Sequence, residues 1–382
     1  MKTIKTWPTL YKYNTQKKVV QWKTWVSQNS KGCLIFVEHG QHHGKLQTTS
    51  VLVEQGKNIG RSNETTPLQQ AIVEAESKWT KQQARKGSNS QLSVKRDNVL
   101  RPMLAKSFDK DGHHIEFPCY GQAKLDGIRC ISMMGKGYNF ASPKYGVKLM
   151  SRQNKEFTSI DHLKKALQPI FEVDSSLVLD GELYIHGQEF QKLTSFIKRD
   201  KASDNSYKIE YHLYDIINDQ DYVQRYNTLR SLIKRFPHKQ IKLVPTFIIQ
   251  SKNTIEDHHS TWTKKGYEGI MFRNKLGSYK IDGRSKDLQK FKKFIDMEFE
   301  IVGAYENKGK QTGQCTFECI TKDNTQFSVK PKGTDAQRRQ YWKDYKSGKI
   351  KGKMLTVEFF SWTSGDNPVP RFPVGKAIRE YE

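Results

Sequence analysis

The sequence predicts an α+β protein of three parts, and its segment pattern and length support this. Residues 1–86 combine strand-like segments with one clear helix. Residues 97–297 alternate short apolar strands with a few helices, and residues 298–382 hold several short strands with one helix. A chain of 382 residues is longer than one hydrophobic core usually holds. We therefore expect a small N-terminal α+β domain, a larger mixed domain and a C-terminal barrel.

The N-terminal part is predicted to be a small sheet covered by a helix. The run Cys33–Glu38 is strand-like. Thr66 stands at an N-cap position, Pro67 at the first helical position, and Gln69 completes a capping box. Apolar residues then recur at helical spacing and give one buried face: Leu68, Ala71, Ile72, Ala75 and Trp79. The polar run Gly87–Ser90 is typical of a linker.

The other two parts are defined by short apolar runs between loops. In the second part the strand candidates are residues 177–185, 209–217, 269–273 and 288–294. In the third they are 299–302, 315–321, 326–330 and 354–360, with a helix-permissive stretch at 334–346. Within one of these runs, Cys315, Phe317 and Cys319 alternate as inward residues of a strand do. Short strands with one helix suit a small barrel that binds nucleic acid.

The charge balance indicates a polyanionic partner. The chain carries 65 Lys and Arg against 40 Asp and Glu, a formal net charge of +25. This excess disfavours a compact state through self-repulsion, and a polyanion relieves it by displacing condensed counterions. Nucleic acid is the expected partner, with a basic solubility surface as the alternative. The 17 Tyr and 19 Phe are too many for a disordered chain. No apolar run is long enough for a bilayer, so no membrane association is expected.

The cysteines indicate reduced thiols. They stand at positions 33, 119, 130, 315 and 319, their number is odd, and no Cys-x-x-Cys pair occurs. This pattern argues against a disulfide framework and against a zinc knuckle. The N-terminus shows no apolar core of a signal peptide. We therefore expect a cytoplasmic protein, in the host cytoplasm if viral, or a nuclear one in a eukaryotic host.

The sharpest local motif is Lys124-Leu-Asp-Gly-Ile-Arg129. An amine that attacks phosphorus must be deprotonated, and desolvation or a nearby Arg favours the neutral form. Gly127 allows the backbone to turn sharply or to approach a ligand. The hexapeptide alone is also compatible with an ordinary surface turn, so its interpretation depends on the motifs that follow it.

Five further motifs follow in a fixed order: Ser151-Arg152, Leu179-Asp-Gly-Glu-Leu-Tyr184, Tyr211-His-Leu-Tyr-Asp215, Tyr267-Glu-Gly-Ile-Met-Phe272 and Leu288-Gln-Lys-Phe-Lys-Lys-Phe294. Each is weak alone, but the ordered set closely resembles the collinear motifs of the covalent nucleotidyltransferases. That superfamily contains ATP-dependent DNA ligases, RNA ligases and mRNA capping enzymes. The resemblance implies a nucleotidyltransferase domain (ATP-grasp-like, adenylating) at 97–297, followed by an OB-fold domain at 298–382.

Several motif residues suit phosphate and metal chemistry by residue type. Asp180, Glu182 and Tyr184 share one face of their predicted strand because side chains alternate. Glu182 could hold a ribose or a metal, and Glu268 adds a second carboxylate of the kind that Mg²⁺ prefers. The alternatives are a solvated strand face and a loop carboxylate. A phosphate clamp is expected from two cations on one strand face, Lys290 and Lys292, with Phe291 turned into the core.

The resemblance implies roles for further residues. It makes Lys124 the nucleophile that carries the nucleotide. Tyr214 matches the aromatic that stacks on the base, although a tyrosine in an apolar strand is equally often a core residue. Gln122 matches the position that contacts the adenine edge. Arg129 and Arg152 resemble the residues that bind the ribose and the phosphate or nick.

Both ends of the chain carry weaker resemblances. Pro370-Arg-Phe-Pro-Val-Gly-Lys-Ala-Ile-Arg379 resembles the closing motif of small phage and bacterial ligases, although its Val-Gly-Lys stretch is less apolar than usual. It implies that Arg371 contacts the β and γ phosphates of ATP, with Lys376 and Arg379 behind it; a basic barrel strand is the alternative. Residues 1–86, especially Gly56–Arg61, resemble a small WGR-like DNA-binding domain. The nearby histidines at 39, 42 and 43 lack acids or Cys at ligand spacing, so a loop is favoured over a metal site.

The expected function is an ATP-dependent DNA ligase. The resemblance implies ATP and Mg²⁺ as cofactors, with Mn²⁺ as a substitute, and a monomer that acts on nicked duplex DNA. An RNA ligase or a GTP-dependent mRNA capping guanylyltransferase is the alternative with the same chemistry. The Leu-Asp-Gly-Ile-Arg and Pro-Arg-Phe-Pro forms favour a DNA ligase over both. A nucleic-acid-binding protein with a decayed enzyme core is a third hypothesis, but the expected catalytic residues are all present.

Overall fold

The fold was derived from a computed structural model, which describes residues 1–14, 18–30, 32–86, 90, 100–135 and 146–379. The predicted linker 87–90, apart from Ser90, and the predicted domain start at 97 lie outside the described residues. The chain forms two compact units. One contains residues 1–252 and 272–289, and the other contains residues 253–271 and 290–382.

The first unit begins with a sheet of five strands covered by a helix. The strands are β1 Lys2–Thr6, β2 Leu10–Tyr13, β3 Val19–Asn29, β4 Gly32–Gln41 and β5 Leu46–Val53, and the helix is α1 Pro67–Lys86. The sheet order is β1-β3-β4-β5, with β2 also paired to β3. Ala71 and Ala75 of α1 are fully buried against Val26 and Ile35 of the sheet. The predicted strand and helix are confirmed, and we call residues 1–86 the N-terminal module.

The capping box that sequence analysis predicted for α1 is present. The Gln69 amide N–H donates to Thr66 Oγ1 at 3.2 Å, and the Thr66 amide N–H donates to Gln69 Oε1 at 2.8 Å. These bonds satisfy backbone donors that a helix N-terminus otherwise leaves unpaired. Further along the helix, Trp79 Nε1 donates to the Pro8 carbonyl at 2.8 Å. The helix is thus fixed to the sheet through both packing and hydrogen bonds.

The middle of the chain contributes two further five-stranded sheets. The elements that begin this region are β6 Leu104–Ser107, α2 Phe108–Asp111, β7 Cys119–Lys124, β8 Ile128–Met134, β9 Val147–Ser151 and α3 Asp161–Val173. They are followed by β10 Val178–Tyr184, α4 Phe190–Ile197, β11 Glu210–Ile216, α5 Tyr222–Arg235, β12 Ile241–Leu243 and β13 Thr246–Ile249. The last elements are α6 Ile255–Lys264, β14 Gly269–Arg273 and β15 Arg284–Phe291. The sheet orders are β12-β11-β10-β8-β9 and β13-β7-β14-β15-β6.

The strands of the motifs are central to these sheets. In the sheet β12-β11-β10-β8-β9, helices α3 and α4 contribute buried residues to the same core as β10 and β11, including Leu167, Leu193, Leu179 and Leu213. The predicted strands at 177–185, 209–217 and 269–273 are confirmed to within a residue at each end. The strand predicted at 288–294 runs instead from Arg284 to Phe291. The strand ends at Phe291, and a separate strand begins at Ile295.

The second unit contains a closed barrel. Its strands are β16 Ile295–Glu306, β17 Cys315–Ile320, β18 Gln326–Pro331, β19 Met354–Phe359 and β20 Val374–Ile378, with helix α7 Asp335–Lys346 between β18 and β19. The barrel order is β16-β17-β18-β20-β19. Cys315, Phe317 and Cys319 are fully buried inside it, as their alternation predicts. A five-stranded barrel with one helix is the predicted OB-fold architecture.

Candidate active site

Lys124 ends strand β7, and the turn after it fits closely against strand β10. Ala123 and Leu125 on either side of the lysine are buried. At Gly127, a Cβ atom would lie 2.6 Å from both Glu182 Cγ and the Leu183 carbonyl oxygen, closer than any side chain tolerates. Only glycine fits, so the backbone of the lysine motif approaches the strand that carries Glu182. Sequence analysis predicted a sharp turn or an approach to a ligand at Gly127, and the structure shows an approach to a neighbouring strand.

Arg129 is fixed by a buried carboxylate. Its Nε donates to Asp180 Oδ1 at 2.9 Å and its Nη2 to Asp180 Oδ2 at 2.5 Å, while Nη1 donates to the Met103 carbonyl at 2.6 Å. Tyr279 joins the same network, since its hydroxyl donates to Asp180 Oδ2 at 2.6 Å. Burial alone lowers the pKa of Arg129, but the Asp180 carboxylate raises it well above its ordinary value. Arg129 is thus a permanently charged residue with a defined orientation.

Glu182 and Tyr214 lie next to this network. Glu182 is directly opposite Arg129 in the pairing of β10 with β8. The Tyr214 hydroxyl donates to Glu182 Oε2 at 3.4 Å. The Tyr214 ring is also contacted by two guanidinium groups, of Arg129 at 5.7 Å and of Arg273 at 5.5 Å from the ring centre. Burial raises the pKa of Tyr214 well above its ordinary value, so the hydroxyl remains a hydrogen-bond donor.

Gln122 belongs to a second buried network. Arg273 Nε donates to Gln122 Oε1 at 2.7 Å, and Gln122 Nε2 donates to Thr246 Oγ1 at 3.1 Å. Arg273 Nη1 also donates to Asp215 Oδ2 at 2.5 Å, and Arg225 Nε donates to Asp215 Oδ1 at 2.7 Å. Asp215 is fully buried and both arginines nearly so. The amide of Gln122 is therefore held from both ends by protein groups.

Sequence analysis missed most of these supporting residues. Arg225, Arg273 and Tyr279 were assigned no role, and Asp180 and Asp215 were noted only as members of motifs. A usable signal existed for one of them, because Arg273 belongs to an otherwise apolar strand, where a charge needs a partner. Arg225 lies on a helix and Tyr279 in a loop, so neither has a comparable local signal.

The second unit holds the remaining predicted cations. Lys292 Nζ forms an ion pair with Glu268 Oε1 at 2.8 Å, with both side chains largely buried. Lys292 lies just after β15 rather than within it, so the predicted strand is shorter than expected, and the shared face of Lys290 and Lys292 stays a prediction. Next to Glu268, Gly269 adopts φ 154°, and a Cβ there would collide with the Phe291 carbonyl oxygen. The glycine thus allows the start of β14, next to Glu268, to approach the chain that leads to Lys292.

Arg371 and Lys292 both lie close to the aromatic ring of Phe360. Lys292 Nζ is 4.0 Å from the centre of the Phe360 ring, and the Arg371 guanidinium is 5.6 Å from the same ring. Lys376 is paired with Asp296 at 2.8 Å and Arg379 with Glu298 at 2.9 Å, both on the outside of the barrel. Of the three closing-motif cations, Arg371 is therefore the one grouped with Lys292.

Arg152 lies beside the strand that carries Arg129, because Ser151 pairs with Cys130. It follows strand β9 and lines a cleft of about 580 Å³ between the N-terminal module and residues 101–104 and 282–283. Lys124, Glu182 and Tyr214 do not line this cleft. The structure therefore groups Gln122, Arg129, Glu182 and Tyr214 with the lysine motif, and it places Arg152 next to the Ser151–Cys130 pair of β9 and β8, at the end of the strand adjacent to Arg129.

The carboxylates are suitable ligands for a hard cation. Among the described residues, no group of three or more His, Cys, Asp or Glu side chains could hold a metal ion. Mg²⁺ needs fewer protein ligands, because it binds through one or two carboxylates together with substrate phosphates and keeps several waters. Glu182 is partly exposed and supplies oxygen ligands, and Glu268 does so beside a cation. The donor chemistry at each carboxylate therefore fits Mg²⁺.

No helix in the described part of the chain is both long and apolar enough to cross a bilayer.

Comparison with known proteins identifies the family. Residues 102–292 match the model of the ATP dependent DNA ligase domain. The DNA ligase of African swine fever virus is 29% identical over 344 residues, covering 85% of this chain and 78% of the viral protein. The DNA ligase of Enterobacteria phage T4 is 23% identical over 260 residues, covering 55% of this chain and 52% of the phage protein.

A solved structure supports the same assignment. A protein from a structure–function analysis of Lig E DNA ligases superimposes with a TM-score of 0.59 at 25% identity, over 73% of this chain and 99% of its own. The predicted fold of a nucleotidyltransferase domain followed by an OB-fold barrel is thereby confirmed. The family match begins at residue 102, so the WGR-like assignment of the N-terminal module stays a prediction. The chain therefore belongs to the ATP-dependent DNA ligase family, whose members form phosphodiester bonds.

Proposed function

We propose that this ligase seals nicks in duplex DNA through an adenylate carried on Lys124. The lysine amine attacks the α-phosphorus of ATP, a P–N bond forms, and the bond to the pyrophosphate leaving group breaks. The adenylate then passes to the 5′-phosphate of a nick and frees the lysine. The 3′-hydroxyl attacks this activated phosphate, the new phosphodiester bond forms, and AMP leaves.

One observation supports this proposal above the others. Gly127 brings the turn after Lys124 against Glu182, so the nucleophile and a carboxylate come from adjacent backbone segments. Glu182 is assigned to the ribose or to the metal. Tyr214, which donates a hydrogen bond to Glu182, is assigned to the base. The resemblance assigns Gln122 to the adenine edge, a contact for which its amide would have to exchange its bonds to Arg273 and Thr246. Arg129, fixed by Asp180, binds the ribose. A charged group with a fixed orientation costs little reorganisation when substrate charge develops beside it.

The cations of the second unit are assigned to phosphates. Lys290 and Lys292 neutralise phosphate charge on ATP, and Arg371 contacts the β and γ phosphates when the barrel closes. When bound, Mg²⁺ or Mn²⁺ shields the phosphate charge that opposes attack by the amine, with Glu182 and Glu268 as its carboxylates. Glu268 is assigned a second role, since its ion pair with Lys292 sets the position of that amine.

The substrate assignment depends on charge. A formal charge of +25 suits a duplex contacted through phosphates, and nick sealing needs no base readout. We assign residues 1–86 to accessory DNA binding, 97–297 to adenylation and 298–382 to the OB-fold domain. Arg152 contacts phosphate beside the nick. The enzyme acts as a monomer.

Self-adenylation tests the proposal. Protein is incubated with Mg²⁺ and α-labelled ATP, GTP or NAD, and the labelled residue is mapped by mass spectrometry. We expect label from ATP alone, on Lys124, and sealing of a singly nicked duplex. Lys124→Ala should take no label, while Lys148→Ala, at an exposed position of β9, should match the wild type. Label from GTP alone, or an adenylated Lys124→Ala variant, would contradict the proposal.

A further inference from the structure

The cleft that contains Arg152 has its own chemical character. Four basic side chains line it, against one carboxylate: Lys78, Lys81, Arg101, Arg152 and Asp282. Asp282 is itself paired with Arg101 at 3.5 Å. The carboxylate therefore compensates only one of the four cations. A lining with this charge favours an anionic ligand, and electrostatic attraction raises the local concentration of such a ligand.

The cleft is formed by the N-terminal module and the adenylation segment together. Lys78 and Lys81 are three residues apart on α1, a spacing that puts both side chains on one face of a helix. Trp22 of β3 adds an indole, and Arg101 and Arg152 come from the other side. Its volume of about 580 Å³ is in the range of clefts that hold ligands, about 300–1,000 Å³. Neither part of the chain supplies all four cations alone.

We propose that this cleft binds the phosphodiester backbone of the DNA strand beside the nick. In this proposal Lys78 and Lys81 of the N-terminal module extend a line of phosphate contacts that includes Arg152 and Arg101. Trp22 packs against a sugar or an unstacked base of the same strand. The proposal rests on the proposed function, because it takes nicked DNA as the ligand. It gives the N-terminal module a defined contact surface that includes a residue of the adenylation segment.

DNA binding measured against salt tests the cleft directly. Full-length protein is titrated onto a fluorescent nicked duplex at several salt concentrations. The variants are Lys78→Gln with Lys81→Gln, and a matched control, Lys2→Gln with Lys45→Gln. The control removes the same charge from exposed positions of the same module that do not line the cleft. Each phosphate contact contributes about 0.9 to the slope of log K against log salt.

We expect the cleft variant to reduce that slope by about 2 and to weaken binding about tenfold or more near 0.1 M salt. The control should keep the wild-type slope. Trp22→Phe should lose part of the tryptophan fluorescence change that accompanies DNA binding. Equal effects of the cleft and control variants would overturn the proposal. So would an increased KM for ATP in self-adenylation with DNA affinity unchanged, because the cleft would then hold a nucleotide.

The two proposals fail in different assays. Self-adenylation of Lys124 needs no DNA, so its absence in the wild type contradicts the proposed function whatever the cleft does. The contribution of the cleft is measured by DNA titration, which needs no ATP. A wild-type enzyme that becomes adenylated while its cleft variant binds nicked DNA normally would contradict only the cleft proposal.

Discussion

Replacing Asp215 by Asn should destabilise the first unit more than any surface change. Asp215 is fully buried and accepts hydrogen bonds from Arg225 Nε at 2.7 Å, Arg225 Nη2 at 3.3 Å and Arg273 Nη1 at 2.5 Å. The amide keeps the shape of the carboxylate but removes the negative charge to which two buried guanidinium groups are hydrogen-bonded. Removing one partner of a buried ion pair costs about 3–5 kcal/mol, and we expect a loss of that size.

Urea unfolding measures this loss. With a slope of about 3 kcal/mol per M, a loss of 3–5 kcal/mol lowers the unfolding midpoint by about 1–1.7 M. Asp282→Asn is a matched control, because the same chemical change is made in an exposed pair with Arg101. Exposed pairs contribute about 0–1 kcal/mol, so its midpoint should change little. A loss under about 1 kcal/mol for Asp215→Asn, or equal losses for both variants, would refute a structural role for this buried charge.

Three other outcomes are expected. Gly127→Ala should abolish self-adenylation, measured with labelled ATP, because the new methyl would lie 2.6 Å from Glu182 Cγ and the Leu183 carbonyl oxygen; full activity would show that this turn is not closely packed. Tyr279→Phe removes the hydroxyl that donates to Asp180, so urea melts should show a loss of about 1–3 kcal/mol, and an unchanged midpoint would contradict the network. The native cysteines should resist a thiol reagent at pH 8 and all react after unfolding, because all five are buried. Burial raises the pKa of Cys119 and Cys319 to about 12 and of Cys315 to about 11, so the thiolate is scarce at that pH; rapid native labelling of these three would contradict their burial.

The parts of the fold that sequence analysis predicted have local causes. The capping box at Thr66, the alternation at Cys315–Cys319 and the turn at Gly127 each depend on residues that are near one another in the chain. The end of β15 has a different cause. The residues 288–294 give no local sign that the strand ends among them. The next strand nevertheless begins at Ile295 and pairs with β19, more than 50 residues away. Local pattern contains no information about that pairing, so the prediction extended the strand through Phe294.

The same distinction applies to the candidate site. The motif order identified Lys124, Glu182 and Glu268 because each belongs to a short, characteristic string. The networks that hold these residues combine groups from distant positions, such as Tyr279 with Asp180 and Arg273 with Gln122. The partners in these two pairs are 99 and 151 residues apart in the sequence. A buried polar group requires a partner, but which residue supplies it is decided by the sheet topology.

Burial separates the roles of two carboxylates that look alike in the sequence. Asp180 and Glu182 are two residues apart in one strand, and either could have been assigned to the ribose or the metal. Asp180 is fully buried, and both its oxygens accept hydrogen bonds from Arg129, with a third bond from Tyr279. A carboxylate compensated in this way has little to gain from a substrate, and its removal leaves a buried guanidinium unpaired. Glu182 is partly exposed and is contacted by a neutral hydroxyl. Asp180 therefore orients Arg129, and Glu182 is the carboxylate suited to contact ligand.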